Sequence, residues 1–471
     1  MPINSLLYPV PSPPPAYSID NSCRFDDGSS AYMHKTPGSA GSLRKVTISC
    51  WFKKTQAING TTWQQILNCS DSDGNPYFAF GLKADKFTVS SGSGSVELRK
   101  QSTQVLRDPS AWYHLCVSID TTDGTAGDRV KMYINGTRVT SFAASTDPSL
   151  NYDFPSLNTT SYAINIGRDD YGGGEGYLDG NLAELFFIDG TAYAASSFGE
   201  YNEDSPTIWQ PKNCKDDLTF GTNGFYLDFK DSSNLGNDAN GGTDLTEVNL
   251  AATDSSTDSP TNNWCTMNPL SCVDVTDMSE NNLKVRLETS DDSIMSTFAM
   301  SKGKWYWEEK RVTQGARGYT GVCDYATPEM GGNAARDAST EWAIMIDHNG
   351  NTEGSGVTVN SHVKGSAPSD NDIFTYAFDA DNGQVWVGVN ANVDISGTAN
   401  VTGLATGVPY FYFFEESGGS DPDETVLEMN FGNPINSISS GNSDDNGYGN
   451  FEYAVPSGYY ALCTKNLAEK G

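Results

Sequence analysis

The sequence predicts an all-β protein that contains two antiparallel β-sandwich domains in tandem, preceded by an extended N-terminal arm. Aromatic and β-branched residues recur in short alternating runs, which is typical of half-buried strands. Glycine supplies 47 of the 471 residues, and many of these glycines stand in clusters with Asn, Asp and Ser that favour tight turns. A segment poor in large apolar residues separates the runs into two groups. Each group is long enough to bury a core of its own, because domains usually hold ~100–200 residues.

The arm comprises residues 1–20. Five prolines between positions 9 and 15 favour polyproline II, an extended conformation without internal hydrogen bonds. Two interpretations remain open, a tail that lies over the domain surface and an arm that docks onto a larger assembly. No Lys or Arg precedes Arg24, and Pro9 and Pro11 interrupt the first apolar stretch. We therefore do not expect a secretory signal peptide.

The first domain is predicted at residues 21–250. Its predicted strands share alternating aromatic and β-branched residues and lie at 46–54, 77–83, 86–91, 112–120, 129–142, 162–168, 181–189 and 224–229. Asn135 and Gly136 favour a type I′ turn within a hairpin, because both turn positions need a positive φ. Residues 191–201 have room for one or two helical turns.

A linker is predicted at residues 251–275, which are rich in Ser, Thr, Asp, Asn and Pro. The strand pattern resumes in the second domain, residues 276–471. Its predicted strands lie at 283–288, 304–312, 319–325, 341–347, 373–381, 384–390, 408–416 and 426–432. Turn signals stand at 348–350 and 381–383.

The charge balance excludes several classes of function. Lys and Arg total 29 against 60 Asp and Glu, so the formal net charge is −31. Duplex nucleic acid is excluded as a general partner because phosphate recognition needs clustered cations, and an anionic membrane surface is disfavoured for the same reason. No run of 18 apolar residues is present, so no membrane-inserted helix is expected.

The cysteines and histidines do not suggest a zinc site. Nine cysteines are irregularly spaced, without a Cys-x-x-Cys pair, and four histidines accompany them. We expect buried free thiols, as in a protein made in a reducing compartment. His114 lies within an apolar strand, and we expect it in the core or against a neighbouring strand.

The first domain contains four segments in a fixed order: 112–119 (WYHLCVSI), 130–136 (VKMYING), 166–168 (IGR) and 178–185 (LDGNLAEL). In this order they resemble laminin-G and concanavalin A-like lectin/glucanase domains. The resemblance implies a two-sheet antiparallel jelly roll, with Trp112 and Leu115 in its core and Gly136 in the hairpin turn.

The second domain contains a second ordered series: 303–308 (GKWYWE), 321–322 (GV), 378–379 (FD), 385–390 (VWVGVN) and 429–432 (MNFG). The series resembles SPRY domains. SPRY domains are β-sandwich binding modules, and the family offers no catalytic residues to carry over.

The order of segments along the whole chain also resembles that of a known class of proteins. Segments 23–41 (CRFDDGSSAYMHKTPGSAG) and 224–241 (GFYLDFKDSSNLGNDANG), followed by a linker and a SPRY-like end, resemble surface proteins of tailed bacteriophages. The resemblance implies a fibre, spike or capsid-decoration protein on the virion surface, made in the host cytoplasm. It further implies that the arm contacts other virion proteins, that a host-surface glycan or receptor is bound, and that the protein forms a homo-oligomer, with a trimer favoured.

The acidic residues do not form a glycosidase motif. Laminarinase-type members of the first fold carry Glu-x-Asp-x-x-Glu or Glu-x-Asp-x-Glu on one strand, and retaining hydrolysis needs two carboxyls ~5 Å apart. Glu184 stands alone, with Leu182 and Phe186 at the flanking same-face positions, and the adjacent Glu308 and Glu309 face opposite sides of a strand. We therefore expect no enzyme. The alternative is a carbohydrate-active hydrolase or lyase on a concanavalin A-like fold.

Asp71, Asp73 and Asn75 are a candidate calcium site. Their oxygens recur at alternating positions, and Gly74 permits a sharp turn. Ca²⁺ takes six to eight oxygen ligands, and the glutamate that completes an EF-hand loop is missing here. A solvated turn without a metal is the alternative.

Two loops are candidates for glycan or receptor binding. The first, residues 168–176, supplies Asp169, Asp170, Tyr171 and Glu175, and the second, residues 439–453, supplies Tyr448. An aromatic ring can stack on a sugar while neighbouring polar groups bind its hydroxyls. Ordinary loop aromatics are the alternative for both.

Overall fold

The computed structural model describes residues 17–55, 63–170, 176–271, 277–287, 293–315, 318–324, 341–416 and 424–471. These residues form antiparallel sheets almost throughout, with one α-helix among them, α1 (Thr464–Lys470). The predicted all-β class is therefore confirmed. No helix in the described part of the chain is long and apolar enough to cross a membrane.

The first half forms a two-sheet sandwich. Its strands are β1 (Ser22–Phe25), β2 (Tyr32–Lys35), β3 (Lys45–Lys54), β4 (Trp63–Ser70), β5 (Tyr77–Lys83), β6 (Lys86–Gly92), β7 (Val96–Ser102), β8 (Trp112–Asp120), β9 (Val130–Ile134), β10 (Thr137–Arg138), β11 (Phe142–Thr146), β12 (Ile164–Ile166), β13 (Gly180–Asp189), β14 (Gly199–Tyr201), β15 (Trp209–Pro211), β16 (Phe225–Leu227), β17 (Thr246–Val248) and β18 (Ser255–Ser256).

The back sheet has the order β10-β9-β8-β3-β13-β1-β18, with β16 paired to β13. The front sheet has the order β11-β7-β6-β5-β4-β12-β2-β17. Their inner faces bury one continuous apolar core, in which Phe52 of the back sheet and Phe80 of the front sheet are both fully buried. Burying a side chain of this size stabilises a fold by ~1.5–3 kcal/mol.

Local signals in this half behave as predicted. Asn135 and Gly136 have φ values of +46° and +75° and join β9 to β10, as a type I′ turn requires. A single 3₁₀ turn at Ala195–Ser197 lies within the segment expected to hold a helical turn.

The second half forms another sandwich. Its strands are β19 (Asp277–Ser279), β20 (Lys284–Leu287), β21 (Ser293–Met295), β22 (Lys304–Thr313), β23 (Gly318–Cys323), β24 (Trp342–Ile346), β25 (Glu353–Ser355), β26 (Thr358–Val359), β27 (Ile373–Asp379), β28 (Gln384–Val389), β29 (Val401–Thr402), β30 (Phe411–Glu416), β31 (Thr425–Asn430) and β32 (Tyr460–Ala461). One sheet follows β19-β20-β31-β22-β27-β28-β29-β26, with β32 parallel to β22, and the other follows β21-β30-β23-β24-β25. Trp307 and Tyr412 meet between the two sheets with ring centres 6.0 Å apart.

The segment expected to be a linker is packed against both halves where the structure describes it. Ser255–Ser256 adds a strand to β1 of the back sheet, while Trp264 is 2% exposed among core residues of the second half. Asp258 accepts a hydrogen bond from Lys53 Nζ at 2.7 Å and another from Trp112 Nε1 at 2.9 Å. The polar side chain of Asp258 therefore fixes this segment to the first half, while the Trp264 ring packs into the second half.

The end of the predicted arm is also fixed. Ile19 is 1% exposed and packs against Trp51 and Ala183. Its backbone N–H donates to Thr261 Oγ1 at 3.0 Å, and the Thr261 hydroxyl donates to its carbonyl oxygen at 2.7 Å. Residues 1–16 of the arm lie outside the described residues.

The cysteines of both halves and His114 are buried, as expected. All eight cysteines in the described residues are buried thiols, and Cys272 lies outside them. His114 is buried with Nε2 2.9 Å from Ser49 Oγ, and burial lowers its pKa to about 3. His114 is therefore a neutral core residue.

Candidate functional site

The outward face of the front sheet carries a groove of about 310 Å³. Strands β4 to β7 and the loops beside them supply its walls. The residues that line the groove are Trp63, Gln65, Asn68, Gly74, Tyr77, Ala79, Lys83, Ser90, Val96, Arg99 and Asp169.

Strand register explains how these residues meet on one face. Asn68 pairs with Ala79, Ala79 with Ser90, and Ser90 with Arg99, so the four form a row across neighbouring strands. Because side chains alternate along a strand, the row points to the same side of the sheet. The small side chain of Ala79 leaves space in the middle of the row, between the polar groups on either side.

A chain of hydrogen bonds fixes the polar side of the groove. Gln65 Nε2 donates to Asp169 Oδ2 at 2.7 Å, and Asn68 Nδ2 donates to Gln65 Oε1 at 2.9 Å. Ser70 Oγ then donates to Asn68 Oδ1 at 2.9 Å. Asn165 stands opposite Asn68 in the register, and its amide nitrogen is buried without a hydrogen-bond partner. The amides are thus oriented before any ligand arrives.

Two half-buried aromatic rings, Trp63 and Tyr77, stand among these polar groups. Tyr77 Oη lies 3.0 Å from Ser90 Oγ, which holds the phenol in place. Lys83 Nζ lies 5.3 Å from the centre of the Trp63 ring, within cation–π distance. Burial lowers the pKa of Lys83, and the nearby Arg99 lowers it further. The groove therefore combines ring faces, fixed amides and two cations.

The structure brings part of the first predicted loop to the groove. Asp169 lines the groove, whereas Asp170 forms an ion pair with Arg168. Tyr171 and Glu175 lie outside the described residues. The sequence analysis missed the strand residues Trp63 and Gln65, because polar residues at alternate positions of a strand are equally typical of an ordinary solvated face.

Tyr448 does not join the other candidates. It lines a separate cleft of about 190 Å³ where the arm, the segment between the halves and the second half meet. Asp20 and Trp264 also line this cleft, and Lys465 Nζ lies 5.5 Å from the centre of the Tyr448 ring. The two loops predicted to bind a glycan or receptor therefore lie at two separate places in the molecule.

The predicted calcium ligands organise a turn beside the groove. Asp71 Oδ1 accepts backbone N–H groups from Asp73 at 3.1 Å and Asn75 at 2.8 Å. Asn75 Oδ1 accepts the N–H of Gly94 at 2.7 Å, and Gly74 has a φ of +67°. These contacts give the loop its shape, and calcium binding there stays a prediction.

A different acidic cluster lies near the segment between the halves. Asp26, Asp27 and Asp179 bring carboxylate oxygens within 4.8 Å of one another. These are hard oxygen donors of the kind that Ca²⁺ prefers, although they supply three of the six to eight oxygens that it takes. The sequence did not predict this cluster, because Asp179 is distant from Asp26 and Asp27 along the chain.

Glu184 lies away from the groove, on the back sheet. It is 5% exposed and accepts hydrogen bonds from Tyr226 Oη at 2.7 Å and Tyr17 Oη at 3.1 Å. Burial raises its pKa to about 7. The expectation that Leu182 and Phe186 share its face is wrong, because a bulge at Glu184, with a φ of +50°, places these two residues on opposite faces of the sheet.

The groove lies within the part of the chain that matches a known family. Residues 27–195 match the model described as the Concanavalin A-like lectin/glucanases superfamily, Laminin_G_3. This match confirms the predicted concanavalin A-like character of the first domain. A search of the curated proteins found no match.

Several solved structures are similar to the chain. A heptameric SAP-like pentraxin from Limulus polyphemus is 19% identical, with 38% of this chain and 80% of that chain covered and a TM-score of 0.28. The CBM40 of a Ruminococcus gnavus IT-sialidase, bound to α2,3-sialyllactose, is 13% identical over 33% and 90%, with a TM-score of 0.25. The LG1-3 region of the laminin α2 chain is 12% identical over 89% and 64%, with a TM-score of 0.33.

Proposed function

We propose that the chain is a non-enzymatic glycan-binding protein and that the groove of the front sheet holds the sugar. One observation carries the proposal: Trp63 and Tyr77 share a groove with the hydrogen-bonded amides of Gln65 and Asn68. Sugars offer apolar faces that stack on aromatic rings and hydroxyls that bond to amides. The match to a lectin and glucanase superfamily over the same residues supports the proposal.

The positions of the carboxyl groups support the part of the proposal that says the groove binds a sugar without catalysis. Retaining hydrolysis needs two carboxyls ~5 Å apart. Among the described residues that line the groove, Asp169 is the one carboxylate, and it bonds to Gln65. Glu184 is buried on the other sheet. The alternative, a glycoside hydrolase or lyase, would release reducing or unsaturated ends from polysaccharides, and turnover lost in Asp169→Asn would establish it.

A glycan array with the full chain tests the proposal. We expect Trp63→Ala and Tyr77→Ala to weaken binding on the order of tenfold or more, because aromatic anchors dominate binding energy. Tyr201→Ala is the matched control, since Tyr201 is an aromatic residue, 43% exposed, outside the groove. Equal loss in Tyr201→Ala, or unchanged binding in both groove variants, would reject the groove as the site.

We further propose that the protein acts on a virion surface as a fibre, spike or capsid-decoration protein with a SPRY-like second module. The arm would contact other virion proteins, and copies would associate symmetrically, with a trimer favoured. The ordered resemblance of the segments supports this placement. Antibody labelling of purified particles tests it, and blocking of phage adsorption by the free protein would separate receptor binding from a purely structural role.

A further inference from the structure

We propose that the groove recognises an acidic glycan and that Lys83 and Arg99 together hold its anionic group. The inference rests on the proposed function, since it assumes that the groove binds a glycan. It adds the chemical class of the ligand, a sugar that carries a carboxylate or a sulfate.

The first support is that neither cation forms an ion pair with a carboxylate of the described residues. No carboxylate oxygen of the described residues lies within 4.0 Å of Lys83 Nζ or of the Arg99 guanidinium. Carboxylates are not scarce, because Asp and Glu outnumber Lys and Arg by 60 to 29. Lys100, one residue beyond Arg99 on β7, has an ion pair with Asp147 at 2.6 Å. The two groove cations therefore differ from Lys100 in having no ion pair with a carboxylate of the described residues.

The second support is position. Lys83 on β5 and Arg99 on β7 line the same groove and repel each other, and neither forms an ion pair with a carboxylate of the described residues. A bound carboxylate or sulfate would relieve that repulsion. Arginine presents a planar fork that matches both groups, and lysine adds a point charge.

The third support is the neighbouring ring. Because Lys83 Nζ lies 5.3 Å from the Trp63 ring centre, a sugar stacked on Trp63 has an ammonium group beside it. An acidic substituent on that sugar would then lie beside Lys83. The aromatic ring would recognise the sugar, and the cations would select its charge.

Titration calorimetry with oligogalacturonate and its methyl ester tests the inference, because the two ligands differ in charge and share a backbone. We expect the acid to bind on the order of tenfold more tightly at low salt, with the preference falling as salt rises. A sulfated galactan oligosaccharide is the arm that distinguishes sulfate from carboxylate. The double variant Lys83→Gln, Arg99→Gln should lose the preference for acid and keep binding of the ester.

Arg107→Gln is the control, since Arg107 is an exposed arginine of the same domain outside the groove, and it should keep the preference. Thermal unfolding checks that each variant is folded. Equal affinity of the unmodified protein for acidic and neutral ligands overturns the inference and leaves glycan binding intact. Failure of acidic and neutral glycans alike across an array overturns both the inference and the proposed function.

Discussion

Charged and aromatic groups meet in two regions of the molecule, the groove of the first half and the core of the second, with opposite outcomes. In the core, Glu309 and Arg311 are fully buried and bonded at 2.8 Å. Glu309 Oε2 also accepts hydrogen bonds from Tyr376 Oη at 2.6 Å and Tyr412 Oη at 3.0 Å. Arg311 Nη2 donates to Thr320 Oγ1 at 3.0 Å. Both charged groups of this network therefore have ion-pair and hydrogen-bond partners within the protein.

In the groove, cations also stand beside an aromatic ring, but they lack an ion pair with a carboxylate of the described residues. Lys83 and Arg99 face solvent beside Trp63 without a carboxylate from the described residues, while the nearby amides are already oriented. The difference teaches how to separate a structural polar group from a functional one. Removing one partner of a charge pair that the fold has completed destabilises the fold, and a charge held in place without an ion pair is available to a ligand.

The largest effect that would test this comparison is loss of the core cation. Arg311→Met would leave the Glu309 carboxylate buried without its ion-pair partner, so we expect a loss of about 3–5 kcal/mol in the free energy of unfolding. Urea unfolding measures the change. The double variant Glu309→Gln, Arg311→Met removes both charges and should recover part of the loss. A loss below ~1 kcal/mol for Arg311→Met would show that the pair is not a structural unit.

A smaller effect concerns Glu184, a buried acid of the back sheet. Its pKa of about 7 in the folded protein lies above the ordinary value of 4.5, so the folded state binds the proton more tightly than the unfolded state. The contribution of Glu184 to stability is therefore fully present below pH 4.5 and is lost as pH rises through 7, a change of up to about 3 kcal/mol. Glu184→Gln keeps an acceptor for Tyr226 and Tyr17 and removes the ionisation.

Unfolding curves at pH 5 and pH 8 measure this effect. The stability of the unmodified protein, measured relative to that of Glu184→Gln, should be lower at the higher of the two values. Glu200→Gln is the matched control, because Glu200 is an exposed glutamate of the same half whose removal leaves the buried carboxyl and its surroundings in place. An identical pH dependence in the unmodified protein and Glu184→Gln would assign the effect to other groups.

The same contrast explains what the sequence could predict. Strands whose two faces are apolar or regularly alternating, such as β3, β8 and β22, were predicted within a residue or two. Strands β4 and β7 were missed, because Gln65, Asn68 and Arg99 interrupt the apolar pattern. Those are groove residues, so the features that make the site also hid the strands that carry it.

Loop composition misled the site prediction in a related way. Asp169 was found because it follows a strand in an acidic, glycine-rich loop. Asp71 and Asn75 were chosen for their alternating oxygens, yet these oxygens accept backbone N–H groups within the turn and its neighbour. Local spacing reveals which residues have oxygens to offer, and the sheet register decides which of them face the groove.

The smallest expected effect gives the sharpest test of the contrast. Lys83→Gln, Arg99→Gln removes two cations, as many charges as the core double variant, from the groove instead of the core. Because neither cation is paired with a carboxylate of the described residues, the free energy of unfolding should stay within about 0.5 kcal/mol or rise slightly as the mutual repulsion disappears. Urea unfolding measures it beside the calorimetric binding experiment. A loss of several kcal/mol would mean that the groove cations stabilise the fold as Arg311 does. Whether a charged group has an ion pair would then no longer distinguish a structural group of the core from a binding group of the groove.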